Sequence, residues 1–194
     1  MTRASSNVLI DQLWQDPSLA REVLGVVGFS LLTAVLAQIR VPLPFTPVPL
    51  TGQTFAVLLS GAVLGWRRGF LSQALYLAEG IGGLPVFVGG TASMAHLLGP
   101  TGGYLWSFPL AAALLGWLVE RGASRSCWRL ALSLLLADAL ILIAGASWLR
   151  LGFAVPYSQA WLLGFYPFLI GDILKVVLVG LALPRALKRF GQAA

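Results

Sequence analysis

Cysteine, histidine and charge are all scarce in this chain of 194 residues. One cysteine, Cys127, excludes an internal disulfide framework and any multi-cysteine metal site. His96 is the only histidine, so a metal centre has no second imidazole, and no serine is marked out as its partner in a nucleophilic pair. Charged residues make up 10% of the chain, where a soluble domain carries about 25%. With 58% hydrophobic residues and a mean hydropathy of +0.84, an ordinary soluble fold is excluded. Neither a catalytic residue nor a metal ligand is assigned.

What the chain has instead is long apolar segments. Six run roughly over 23–39, 53–66, 69–78, 104–119, 130–148 and 161–183. A membrane-spanning helix needs about 20 apolar residues. The first, fifth and sixth segments reach that length and the fourth nearly does. The second and third are short and separated only by Arg67 and Arg68, so they are two tilted spans or one re-entrant hairpin. The fold class expected is an all-α integral membrane protein of six transmembrane helices with both termini cytoplasmic. Residues 1–20, polar with Pro17 and no signal-peptide pattern, are read as a short cytoplasmic arm, and residues 21–194 as one membrane domain.

The net charge of +6 forms no basic stripe with interleaved aromatics, so nucleic acid is not expected as a partner. The cations instead report topology. Six spans put Arg3, Arg21, Arg67, Arg68, Arg121, Arg125, Arg129, Arg185, Lys188 and Arg189 on the cytoplasmic side and only Arg40 and Arg150 outside. That asymmetry satisfies the positive-inside rule for a protein seated in a lipid bilayer. It turns the proline-rich loop 41–52 and the glycine-rich loop 79–103 to the outside, which reads as the ligand-entry face. No inverted repeat of the kind common in secondary transporters is apparent.

Asp172 and Lys175 lie inside the last apolar stretch, GFYPFLIGDILKVVLVGLAL. A charge at the centre of a membrane helix costs roughly 2.5–3.5 kcal/mol on insertion scales, so such residues are rare and usually functional. Spaced i,i+3, the two share one helix face. They either neutralise each other in the bundle interior or hold a polar ligand. Asp138, in LLLADALILI, is a third intramembrane charge, completing the same cavity or partnering Lys175. Pro42, Pro44, Pro47 and Pro49 stiffen the first outer loop, which ends in Thr51-Gly52-Gln53-Thr54. It is a lid with hydrogen-bonding groups or a rigid connector. The glycine-dense GIGGLPVFVGG and GPTGGY stretches follow no strand of a βαβ unit, so a nucleotide-binding reading lacks its context. Tyr104, Trp106 and Phe108 offer aromatic walls. Ser30 and Ala34, with Thr33 and Ala37, put small residues at helical spacing on the first segment, for packing within the bundle or for docking a partner.

Four of these motifs, in this order, carry a resemblance: VPLPFTPVPLTGQT (41–54), GGLPVFV (82–88), GPTGGY (99–104) and GFYPFLIGDILKV (164–176). The chain resembles the BioY family, the substrate-binding membrane subunits (S components) of biotin energy-coupling-factor (ECF) transporters, over nearly its whole length after about residue 20. The resemblance implies a six-helix domain in a prokaryotic plasma membrane that binds biotin from outside and has no ATPase or other chemistry of its own. Biotin is its transported ligand, and no cofactor is implied. Its partners would be a transmembrane coupling subunit and two cytoplasmic ATPases. The implied ligand-binding residues are Asp172, Lys175, Thr51, Gln53 and Tyr104, to which Asp138 is added from its position. Ser30, Ala34 and Ala37 match the family's docking motif approximately. The loop 90–97 departs from the family pattern, and His96 is read as a loop residue outside the site. An S component for another vitamin, or an intramembrane enzyme, are the alternative readings.

Overall fold

The structure, a computed structural model, describes residues 8–13 and 18–191, with the side chains at 12–13, 170, 182, 184 and 186–191 outside the description. Helix α1 (Leu9–Leu13) precedes α2 (Leu19–Ala37), which opens on Ser18, whose hydroxyl accepts from the Arg21 amide. A two-residue ladder, β1 (Arg40–Val41) with β2 (Leu50–Thr51), closes the base of the proline-rich loop. Then follow α3 (Gln53–Ile81), α4 (Met94–Leu97), α5 (Gly102–Glu120), α6 (Cys127–Gly152), α7 (Tyr157–Gly164) and α8 (Leu169–Gly191).

The second and third apolar segments join in α3, which folds back on itself at Gly65. That residue has φ +81° and ψ −176°, a conformation open to glycine and strained for other residues. The two arms, 53–64 and 66–81, run antiparallel. A Cβ on Gly69 would fall 3.1 Å from the Gly61 Cα, eight positions back on the other arm. Gln73 Nε2 donates to Ser60 Oγ at 3.1 Å, and Gln53 Nε2 donates to Tyr76 Oη at 2.6 Å. Glycines at 61, 65 and 69 let the two backbones touch, and Gly116 of α5 packs on the turn, where a Cβ would lie 2.3 Å from the Gly65 carbonyl carbon.

Among the described residues, four stretches are long and apolar enough to cross a membrane: Leu19–Ala37, Gly102–Glu120, Cys127–Gly152 and Tyr157–Leu181. The last is not one continuous helix. Tyr166–Phe168 forms a 3-10 turn around Pro167, whose ring lacks an amide proton and ends α7. The carbonyls freed there are satisfied by side chains: Tyr104 Oη donates to Gly164 O at 2.5 Å and Thr46 Oγ1 to Leu163 O at 2.7 Å. Satisfied carbonyls are what permit a helix break at membrane depth.

One end of the bundle gathers Arg67, Arg68 and Arg121 beside the Gly65 turn. The Trp66 amide beside the Gly65 turn donates to Glu120 Oε1 at 2.9 Å, and Arg68 pairs with Asp11 at 2.7 Å. Leu9 belongs to one buried apolar cluster with Val119, Val179 and Leu183. Within the expected polar arm, then, α1 is a docked helix, because Leu9 and Ile10, with Val8 just before them, bury an apolar face while Asp11 meets Arg68. Arg3 and the side chains of Lys188 and Arg189 lie outside the described residues. The β1–β2 hairpin, α4 and the α7–α8 break stand at the other end.

Candidate functional site

A cavity opens among the β1–β2 hairpin, the first turn of α3, the α4 loop, the head of α5, α6 and the start of α8. Its apolar walls include Val48, Val88, Leu105, Phe108, Leu142 and Phe168. Its polar lining includes Thr51, Gln53, Thr54, His96, Tyr104, Asp172 and Lys175. An apolar cleft with a few converging polar groups is the usual form of a small-molecule site.

Asp172 and Lys175 sit in the first two turns of α8, immediately after the helix break, rather than in mid-helix. Asp172 lies in the first turn of α8, at the positive end of the helix dipole, which favours an anion and lowers the cost of burying it. Lys175 Nζ donates to Asp172 Oδ1 at 2.8 Å and to Thr54 Oγ1 at 2.6 Å. The carboxylate is 4% exposed and the lysine 16%. One ammonium proton remains for a further acceptor. The pair therefore joins α8 to α3 as part of the cavity wall.

The other expected residues take distinct positions. Gln53 is buried, with one Nε2 proton given to Tyr76 Oη and Oε1 accepting from Thr51 Oγ1 at 3.1 Å. It sets the floor under the hairpin. Tyr104 spends its hydroxyl proton on Gly164 and lays its ring on Gly145, where a Cβ would fall 2.1 Å from the ring. It offers the cavity an aromatic face rather than a donor. Asp138 does not line the cavity. Buried on α6, it lies within electrostatic reach of both Asp172 and Lys175, and Asp138 Oδ1 and Asp172 Oδ2 have no hydrogen-bond partner among the described residues.

Ser30 and Ala37 face inward as well. Both are fully buried, Ser30 donating to Glu79 Oε2 at 2.5 Å, and Ala34 packs on the main apolar cluster. This stripe packs α2 on α3, because Ser30 and Thr33 find partners on the second arm of α3, in Glu79 and Gln73. The outward face of α2 carries Leu24, Gly28, Leu31 and Val35.

Thr54 and His96 both belong to the polar lining, though neither is assigned to the site from the sequence. Thr54 is the last member of the Thr51-Gly52-Gln53-Thr54 run, and only the fold brings it to Lys175. His96 lies on α4 with its ring stacked on Phe87 at a centroid distance of 5.1 Å. A lone polar ring in the glycine-rich outer loop was the available signal.

Comparison with known proteins adds the following. The sequence model of a protein family described as the BioY family matches residues 4–192. The "Probable biotin transporter BioY" of Pyrococcus horikoshii is 43% identical over 156 residues, covering 80% of this chain and 90% of that protein. The "Biotin transporter BioY" of Thermotoga maritima is 38% identical over 161 residues, covering 83% of this chain and 92% of its own length. A crystal structure described as the S-component for biotin from an ECF-type ABC transporter superposes with a TM-score of 0.80 at 25% identity, covering 89% of this chain and 95% of that one.

Proposed function

We propose that this chain, which belongs to the BioY family, is the biotin-binding membrane subunit of an uptake system, a carrier subunit and not an enzyme. The observation that carries the reading is the cavity wall built from Asp172, Lys175 and Thr54 at the start of α8. Biotin has a ureido ring with two N–H donors and one strong acceptor, an apolar thioether ring and a carboxylate tail. Asp172 accepts an N–H, Lys175 donates its remaining proton to the ureido oxygen or the carboxylate, and the apolar walls take the thioether ring. A ligand without those groups leaves buried polar atoms unpaired, which is the basis of selection. Thr51, Gln53 and Tyr104 complete the site by shaping its floor and side. Asp138 acts through Asp172.

The same reading has six membrane crossings, with the two arms of α3 as the second and third. The end that gathers Arg67, Arg68 and Arg121 faces the cytoplasm, supported by the ten-to-two distribution of cations. The hairpin and α4 then face outside, where biotin enters. The membrane is the plasma membrane of a prokaryote. Uptake is energised by a transmembrane coupling subunit with two ATPases. The open helix face at Gly28, rather than the buried Ser30–Ala37 stripe, is the docking surface.

Purified protein incubated with labelled biotin tests the core of this reading. Retention at nanomolar concentration is expected. Loss of label, with retention of another vitamin, would make the chain an S component of different specificity.

A further inference from the structure

His96 carries an unused acceptor at the cavity wall. Its ring packs on Phe87 with 15° between the planes, and Phe87 is itself buried over Gly80, where a Cβ would fall 2.0 Å from the phenyl ring. The imidazole is thus held in one orientation. Its Nδ1 lies 3.1 Å from Thr91 Oγ1. That hydroxyl donates to the Val88 carbonyl at 3.0 Å. A hydroxyl has one proton to give, so toward His96 it only accepts. Nδ1 therefore bears the ring proton. Burial pushes the imidazole below its ordinary 6.5, which keeps the ring neutral near pH 7. Nε2 is left as a bare lone pair, buried and without a partner among the described residues, on a residue that lines the cavity.

We propose that His96 Nε2 accepts a hydrogen bond from an N–H of the bound ligand and so selects ligands that present an amide- or urea-type donor at that wall. The assignment rests on the biotin reading, in which the donor is one of the two ureido N–H groups. A carboxylate is the wrong partner for this atom, because two acceptors would face each other. The carboxylate tail of biotin is therefore turned away from His96.

Because His96 is the only histidine, isotope-labelled histidine gives a single imidazole to follow by nitrogen NMR in the full-length protein in lipid nanodiscs. Without ligand, Nδ1 is expected to carry the proton and Nε2 to be bare. On adding biotin, the Nε2 resonance shifts toward its hydrogen-bonded value while Nδ1 stays put. A proton on Nε2 in the free protein, or an Nε2 signal that biotin leaves unmoved, would overturn the assignment. His96→Phe keeps the stack on Phe87 and deletes the acceptor, and biotin affinity should fall roughly tenfold. The two ureido N-methyl derivatives of biotin then identify the donor. One methyl group should weaken binding to the unmodified protein and have little further effect in His96→Phe. Additive losses for both derivatives would remove His96 from the site. If the unmodified protein retains no biotin, the proposed function fails and takes this assignment with it. If it binds biotin and His96→Phe binds equally well, only the His96 assignment fails.

Discussion

Lys175 of α8 donates to Thr54 of α3 at 2.6 Å, across 121 residues of sequence. The ammonium is thereby shared between Asp172 and a hydroxyl from a different helix. A self-contained ion pair would need no such third group, and a dry pair by itself gains little stability. The arrangement fixes one ammonium proton on each partner and leaves the third for a ligand. Thr54→Val, which keeps the shape and deletes the acceptor, should free Lys175 to swing and weaken biotin binding about tenfold. Titration calorimetry on the purified variant checks this. Unchanged affinity would mean that Thr54 has no part in positioning Lys175.

Asp172 and Asp138 should respond differently to the same change. Removing the charge of Asp172 breaks the buried pair, a loss of about 3–5 kcal/mol in comparable cases, or at least a hundredfold in affinity if binding bears most of it. Asp138→Asn places an amide N–H against Asp172, where Oδ2 has no partner among the described residues. Its biotin affinity should stay within about threefold of the unmodified protein. Measured side by side, equal and large losses would mean that Asp138 contacts the ligand directly.

The Gly65 turn makes a prediction about stability. Alanine there must adopt φ +81°, and its Cβ would fall 2.5 Å from Glu120 Oε1. A strained backbone position of this kind costs about 1–3 kcal/mol. Gly65→Ala should lower the thermal midpoint by several degrees and, for protein that remains folded, leave biotin affinity intact, since the cavity is at the other end of the bundle. A fluorescence melt checks the first and a binding isotherm the second. A midpoint equal to the unmodified protein's would mean that the two arms tolerate another turn.

These contrasts bear on what the sequence makes legible. Helices α2, α5 and α6 follow directly from apolar runs of spanning length. The Gly65 hairpin does not, because both arms are good helix and the reversal depends on one residue's backbone angles. Arg67 and Arg68 mark its place without giving its geometry. The break before α8 is foreshadowed by Pro167, yet the partners of the freed carbonyls, Tyr104 and Thr46, come from far along the chain. Asp172 and Lys175 stand out by their cost in an apolar setting. Thr54 and His96 do not, because hydroxyls and a loop imidazole are unremarkable until the fold aims them at a common space. The small-residue stripe of α2 has the same spacing whether it faces a partner or the chain's own α3, and only the partners of Ser30 and Thr33 decide between them.

Binding should depend on pH in one direction. The lowered pKa of His96 means that burial favours the neutral ring, so protonation opposes both the folded wall and an N–H donor from the ligand. Affinity should stay flat through the ordinary value of 6.5 and fall only on further acidification, as pH reaches the lowered pKa of the ring. The groups around the ring are Thr91 and Phe87 on its own loop, with Asp172 and Lys175 of α8 and Tyr104 of α5 on the shared cavity. His96→Phe isolates the imidazole from these, and the low-pH loss attributable to His96 should vanish in it. Affinity that rises on acidification would indicate an imidazolium facing a carboxylate, the reverse ligand orientation.

The outward face of α2 should matter for energised uptake and not for binding. Gly28 is exposed, and no described residue lies within 4 Å of a Cβ built on it. A glycine on an open apolar face lets a partner helix approach its backbone closely. Leu24, Leu31 and Val35 flank it with 66%, 52% and 64% of their surface exposed, which gives that partner apolar contact. Gly28→Trp adds bulk where no described residue stands to be displaced. Purified Gly28→Trp should therefore bind biotin normally. If the proposed coupling subunit and ATPases energise transport, uptake of labelled biotin by cells expressing it with them should fall several-fold. Ala34→Trp, by contrast, pushes into the core and should disturb folding first. Normal energised uptake by Gly28→Trp would move the docking surface away from α2.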